Sequence, residues 1–507
     1  MLSNTNRGKK WDRVRVFAVA VFIVFFYHLV RYLFPEIWDN VYCVYYVFLV
    51  PVLIAFTLWF RRGNEPLEIR LYLLFWAWVF LSRLLNGDFY LTNDADFVLN
   101  TGLAYVFLIV CLNLKGESRQ RFLDWISILT SGFFTLLSLP ALYGWLLRKE
   151  LYNPLTGGMF CSFEGAEMYR LTLFFKSCNE VSFWFFLSLF LLAYLFQRRK
   201  NWWWRIPILL AVIPNYLVLT VTYSRASWLA CSVCSALLIL MVFMKKYPHL
   251  LRKISVRLLA SLVCVMAVAP LTYVSFNETA VGMQYGAAAL ASAVQIENVQ
   301  EKFEATPSPS RAEAASYHVA FLAATGGVEE PFDRGQVLAV LSSLENGGEQ
   351  KRDVGQTPIP LSVVKDTRGL SDSGRFDIYK CIIPTMQQDP LRLLRGCLCK
   401  DVMNTYNKLF VRPQPHFHNT FLQLLCLTGL PGLLLILAFC ALVARRSLRL
   451  FFSDASLDVK SLTLILVGTF IYNMLETALF VAVDTRSLVA YIAVGAVLAY
   501  TSEADAG

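Results

Sequence analysis

Long apolar runs separated by short polar intervals set the rhythm of this chain. A helix needs about 20 mostly apolar residues to cross the hydrocarbon core of a bilayer. Runs of about that length are legible at 14–34, 41–60, 68–86, 97–114, 122–147, 179–197, 206–222, 226–244, 256–276, 419–443, 461–481 and 485–501. The pattern therefore predicts an all-α polytopic membrane protein of about twelve transmembrane helices. It divides into a membrane block of about nine spans over 1–276, a large segment over 277–417, and a closing block of about three spans over 418–507. The middle segment is uneven. Residues 277–370 are rich in Ala, Gly, Glu, Ser and Pro and read as a mobile insertion, with one weak helical stretch at 287–305. Residues 371–417 tighten into an amphipathic helix ending at Pro384 and read as packed.

Composition sharpens this picture. Hydrophobic residues make up 57% of the 507 positions and charged residues 16%, well to the apolar side of a soluble domain. Mean hydropathy is +0.51. The net charge of +10 does not point to nucleic acid, because the basic residues lie in small groups between apolar runs. Arg13 and Arg15, Arg61 and Arg62, Lys115 and Arg119, Arg198 and Arg199, Lys245 and Lys246, and Arg445 and Arg446 fall in every second connection. The positive-inside rule reads those connections as cytoplasmic and places both termini inside. The alternate connections then face outward: 88–96, 148–178, the turn Thr222 to Ala226, and the extracytoplasmic loop segment 277–417. No cleavable signal peptide is expected, since the first run is long enough to span. Among the 12 cysteines, Cys231 and Cys234 form a CxxC, but inside an apolar helix they read as packing. Trp202, Trp203 and Trp204 read as an interfacial anchor.

Candidate chemistry gathers on the outward connections. His416 and His418 stand at the mouth of the run 419–443, with Asn419 as a first-turn polar residue and Gly429, Pro431 and Gly432 loosening the helix beyond. Histidine is the side chain whose ordinary titration lies near neutrality, which suits proton transfer. Zinc would want a third and fourth ligand that the sequence does not offer, so no metal site is expected. Thr222 to Trp228 joins two spans with almost no loop, holding Arg225 at the membrane face and at a helix start, with Ser224 as the expected cap. A guanidinium beside a helix N-terminus makes a ready phosphate site. Arg170, Asn179 and Glu180 come to the start of the sixth span, where the last two can serve as caps or equally as ligand contacts. Glu476 falls inside the eleventh run, where an ionisable group is a functional candidate. Arg375, on the amphipathic helix, is unremarkable by spacing alone.

Taken in order, these elements resemble the O-antigen ligase and O-antigen polymerase superfamily of membrane glycosyltransferases. The resemblance rests on Thr-x-Ser-Arg-x-x-Trp at Thr222 to Trp228, and on Ser-Gly-Arg at Ser373 to Arg375 leading to Asp389-Pro390. It rests further on His-x-His-Asn with Leu-Gln and Gly-x-x-Gly from His416 to Gly432, and on the stretch from Arg170 to Asn179. It covers roughly 170–437. It implies a fold of about a dozen spans related to type C glycosyltransferases, with no cofactor and no metal. It also implies a donor glycan on undecaprenyl diphosphate and an acceptor that is lipid A-core or another lipid-linked glycan. The site would face outward from the bacterial cytoplasmic membrane. Matching positions suggest Arg225 and Arg375 as diphosphate binders and His418 as the base; Arg170, His416, Asn419 and Glu476 are further candidate substrate contacts.

Two other functions use similar parts. A flippase or transporter for lipid-linked oligosaccharide would also use an arginine-lined cavity, but should show paired internal halves and basic residues within several spans. A protein O-oligosaccharyltransferase would differ only in its acceptor. The expected partners are thus a polyprenyl-diphosphate glycan donor, a glycan acceptor and the lipid bilayer, with no nucleic acid.

Overall fold

The structure is a computed structural model that describes residues 5–30, 50–59, 65–86, 93–146, 151–152, 159–164, 170–173, 175, 177–249, 253–293, 382, 386, 390–397, 418–477 and 485–506. Helices dominate it. In chain order they are α1 (Thr5–Val30), α2 (Val50–Trp59), α3 (Leu67–Leu85), α4 (Asn93–Asn113), α5 (Gly116–Leu146), α6 (Cys178–Arg198), α7 (Trp202–Val221), α8 (Arg225–Lys246) and α9 (Ile254–Ala293). The short turn α10 (Arg392–Arg395) and the helices α11 (Thr420–Phe452), α12 (Leu457–Leu475) and α13 (Thr485–Ala506) follow.

The architecture is all-α and polytopic, as the apolar runs predict. Among the described residues, eight helices are long and apolar enough to cross a membrane: α5 to α9 and α11 to α13. The four earlier runs coincide with α1 to α4 but fall short for identifiable reasons. The apolar parts of α1 and α4 are shorter, α2 is described over ten residues only, and α3 carries Glu68, Arg70 and Arg83. Two features were not expected. Antiparallel ladders of two or three residues pair β1 (Leu151–Tyr152) with β2 (Met159–Cys161), and β3 (Phe163–Glu164) with β4 (Arg170–Leu171). Strands this short have no room for an alternating pattern. The helical stretch expected at 287–305 is the continuation of α9 to Ala293, and the remainder lies outside the described residues, as does nearly all of the helix expected up to Pro384.

Residues up to Val281 and from Val364 onward form one compact unit; Gly282–Val363 form a second, represented here by the last turns of α9. Within the first unit α6, α12 and α13 are central: α6 packs on α5, α7, α8 and α12, and α13 packs on α4, α11 and α12. The apolar window of α13 is 78% buried and that of α9 only 6%, which puts α9 on the exposed rim of the bundle. Ring stacking fills the core, with Phe134 on Trp184 at 4.6 Å and Phe183 on Tyr472 at 4.2 Å between ring centres.

One end of the bundle collects the basic connections. Arg119 is buried there, donating to the carbonyls of Cys111 and Leu114 and pairing with Glu503 at 2.8 Å, so α4, α5 and α13 meet at a guanidinium. Arg446 pairs with Glu68 and Asp505, and Arg198 and Arg199 face Asp124. A buried arginine is tolerable only with this level of pairing.

Part-way along, α11 is broken at Gly429, whose φ of 69° is left-handed. The break frees carbonyls that must find donors. Arg83 and Ser82 donate to Leu427 O, the Trp78 indole to Thr428 O at 2.7 Å, and the Cys397 amide to Cys426 O at 2.6 Å. Through these bonds the segment Pro390 to Cys397 docks against α3 and the broken helix. Gly396, at φ 76°, and Gly429 are where the two backbones touch, and a Cβ on either would overlap the opposite chain. Gly396→Ala and Gly429→Ala should each lower thermal stability in detergent, by about 1–3 kcal/mol for the backbone strain alone. Gly132→Ala, in the middle of α5 with nothing within 4 Å of the added methyl, should leave it unchanged or raise it slightly.

Candidate active site

Opposite the basic end, the starts of α6, α8 and α11 gather with the end of α12. Glu476 lies at the centre of this gathering. The sequence reading places it inside a span, but α12 stops at Leu475 and Glu476 is its C-cap in extended conformation. Its side chain is only 4% exposed. A carboxylate so enclosed must be matched by donors. It accepts a hydrogen bond from the Asn179 amide at 2.7 Å, and both its oxygens lie against His418 Nδ1, at 3.0 and 3.1 Å.

His418 itself is set by the backbone. Its φ of 51° lies in the left-handed region, which turns the chain sharply into α11. Asn419 then takes the N-cap, its side-chain oxygen accepting from the amides of Phe421 and Leu422 at 3.0 and 3.1 Å. Its amide donates to Met474 O at 3.1 Å. The Thr420 hydroxyl donates to Asn473 Oδ1 at 2.7 Å. Two consecutive residues thus tie the start of α11 to the end of α12, and the imidazole, 21% exposed, is left facing outward from that joint.

Asn179 is fixed from a different direction. The cap of α6 is Ser177, which accepts from the Glu180 amide, so neither Asn179 nor Glu180 serves as the cap that the sequence suggested. Asn179 is thereby available for Glu476. Its carbonyl accepts from the Tyr472 hydroxyl at 3.0 Å and from the Ser182 hydroxyl at 2.8 Å. Ser182 in turn shares a 2.6 Å hydrogen bond with Ser227, in the first turn of α8. A continuous polar chain therefore runs from His418 through Glu476, Asn179 and Ser182 to the helix that begins with Arg225.

The turn before α8 shows why Thr-x-Ser-Arg-x-x-Trp is a unit. Thr222 bonds back to Leu219 O at 2.7 Å, Tyr223 takes a left-handed φ of 52°, and the Trp228 indole closes the turn on Leu219 O at 3.1 Å. Trp228 stacks on Phe276 of α9, ring centres 5.6 Å apart. Arg225 follows as the first helical residue, half-buried. Ser224 occupies the N-cap position but does not cap with its side chain. Its hydroxyl is buried, the residue 1% exposed, and has no hydrogen-bond partner among the described residues. A guanidinium, a free hydroxyl and the positive end of a helix of 22 residues thus coincide.

Of the other expected residues, Arg170 lies on β4, opposite Glu164, and that strand packs on α6 and α7. Arg375 and His416 lie outside the described residues. The sequence reading missed the Tyr472, Ser182 and Ser227 bridge and the role of Arg83. The only available sign was a basic residue within an apolar run.

The cap makes a direct test. Asn419→Ala should lower the thermal midpoint by the equivalent of about 0.5–2 kcal/mol, and Asn419→Asp by less, because it keeps the acceptor. Equal stability of Asn419→Ala and the parent would contradict this geometry.

No curated protein matches the chain. Residues 208–437, from α7 to the middle of α11, match the family model described as O-antigen ligase, a segment that contains Arg225, His418 and Asn419 but neither Asn179 nor Glu476. That match covers 230 of the 507 residues and supports the resemblance to the O-antigen ligase and O-antigen polymerase superfamily of membrane glycosyltransferases.

Proposed function

We propose that this protein transfers a glycan from undecaprenyl diphosphate to an acceptor hydroxyl, on lipid A-core or on another lipid-linked glycan, by an inverting displacement. The observation that carries this reading is the His418–Glu476–Asn179 cluster, joined by hydrogen bonds to the helix that begins with Arg225. The basic connections sharing the opposite end of the bundle support an orientation with both termini in the cytoplasm and the site on the outer face of the bacterial cytoplasmic membrane.

The chemistry follows from the contacts. With Nδ1–H donated to Glu476, the imidazole presents Nε2 as a lone pair, able to take the proton of an incoming hydroxyl. The buried carboxylate then steadies the imidazolium that forms. The acceptor oxygen attacks the anomeric carbon as the bond to the diphosphate oxygen breaks, and the departing electron pair stays on the diphosphate. That charge falls to Arg225, the Ser224 hydroxyl and the amides of the first turn of α8, with Arg375 as a second guanidinium. Guanidiniums bind diphosphate in bidentate fashion and remain charged throughout, so this route needs no metal ion. Asn419 and Thr420 set the angle of the imidazole; Arg170 and His416 are left as contacts for the sugar chain.

In membranes or nanodiscs supplied with a polyprenyl-diphosphate glycan and an acceptor, His418→Ala should reduce transfer by about two to four orders of magnitude. Arg225→Ala should reduce it by about two to three orders. Both variants should remain folded, as judged by thermal unfolding. Transfer that survives either substitution would contradict the assignment.

A further inference from the structure

The cytoplasmic charge pattern of the sequence leaves one cavity unaccounted for. A space of about 720 Å³ runs between α6, α7, α8, α9 and the start of α12, with its charged mouth at the end of the bundle opposite His418. Its mouth is lined by Arg198, Lys200, Arg205 and Lys245, with Asp458 as the one carboxylate of the lining. Two of these cations are already committed. Arg198 donates to Gln120 at 2.7 Å and faces Asp124 and Asp458, at 3.6 and 3.9 Å. Arg205 donates to Arg199 O at 2.7 Å and stands over the Phe196 and Trp202 rings. Lys200 and Lys245 are exposed, and neither has an ion pair among the described residues.

Behind the mouth the walls are mostly apolar, with Leu192, Phe196, Ile208, Val212, Leu238 and Val242 outnumbering Tyr216, Ser235 and Thr272. Along α8 the lining extends from Lys245 inward to Cys231, which at about 1.5 Å per helical residue is roughly 21 Å. Half of a bilayer of about 40–45 Å, headgroups included, is roughly 20–22 Å. The depth is thus that of one leaflet, with cations at headgroup level and hydrocarbon beneath. Soluble anions would gain nothing from such walls, and a zwitterionic lipid would gain little from two uncommitted ammonium groups.

We propose that this cavity binds an anionic phospholipid of the leaflet at the basic end, its phosphate between Lys200 and Lys245 and an acyl chain along the α6 to α8 wall. A compact, freely rotating ammonium suits a phosphate approached from a fluid bilayer. The inner end of the cavity reaches Phe276, which stacks on Trp228 of the Arg225 turn, while its charged mouth lies at the far end of the bundle; lipid binding there does not depend on the proposed transfer chemistry. Its occupant would fill the gap between α7 and the central helices, holding the helix that leads into the Arg225 turn.

The test uses full-length protein in nanodiscs of phosphatidylcholine with a minor fraction of phosphatidylglycerol, re-extracted into neutral detergent, with retained lipid counted by mass spectrometry. Phosphatidylglycerol should be retained over phosphatidylcholine by roughly tenfold or more relative to its supply. Lys200→Gln with Lys245→Gln should remove that preference, and Ala193→Phe, which fills the cavity wall and leaves every charge in place, should lower retention several-fold. Equal retention of the two lipids, a preference unchanged in the double lysine variant, or retention indifferent to a folded Ala193→Phe would each overturn the proposal. Displacement of phosphatidylglycerol by an equimolar polyprenyl phosphate would overturn the identity of the occupant. The two lysines are exposed, so their variant keeps the test decisive even if Ala193→Phe does not fold.

Discussion

A carboxylate removed from water has to be answered, and Glu476 is answered by two elements distant in sequence. Asn179 lies 297 positions away and His418 58 positions away, yet all three meet within hydrogen-bond distance. Breaking this arrangement would strand a charge in a low-dielectric interior, at a cost of several kcal/mol. The ends of α6, α11 and α12 are therefore held together by a requirement as well as by packing. The same requirement fixes which face of the His418 ring is turned inward.

The rest of the site is built around that fixed point. Ser177 caps α6 and leaves the Asn179 amide free to reach Glu476; Asn419 caps α11 and ties it to Met474; Thr420 binds Asn473. On the other flank, Ser182 and Ser227 bring α8 alongside, and the Trp228 clamp holds a left-handed turn that delivers Arg225 as the first helical residue. His418 and Arg225 thus come from separate helices that share one polar network. Deeper in the bundle, the broken helix at Gly429 hands its carbonyls to Arg83, Ser82, Trp78 and Cys397, which anchors the segment Pro390 to Cys397.

The helices were legible in the sequence because hydropathy is a local property, and each apolar run announces itself without reference to the others. The end of α12 was not. After Glu476 the chain continues Thr-Ala-Leu-Phe-Val, so the apolar signal runs on, and the stop is imposed by partners elsewhere in the fold. Arg225, His418 and Asn419 were visible because each stands beside a helix start with a recognisable polar signature. Asn179 was visible as either a cap or a ligand, and Ser177, two residues earlier, fills the place of the cap. Ser224 was expected to cap and does not, which leaves its buried hydroxyl without a hydrogen-bond partner among the described residues. Long-range pairings such as Ser182 with Ser227 leave no trace in local pattern, and two-residue strands are too brief to show one.

A double-mutant cycle on glycan transfer between Glu476→Gln and His418→Ala measures whether the carboxylate acts through the imidazole. If it does, Glu476→Gln slows transfer in the parent and adds little once His418 is gone. Losses that multiply independently in the double variant would contradict the account.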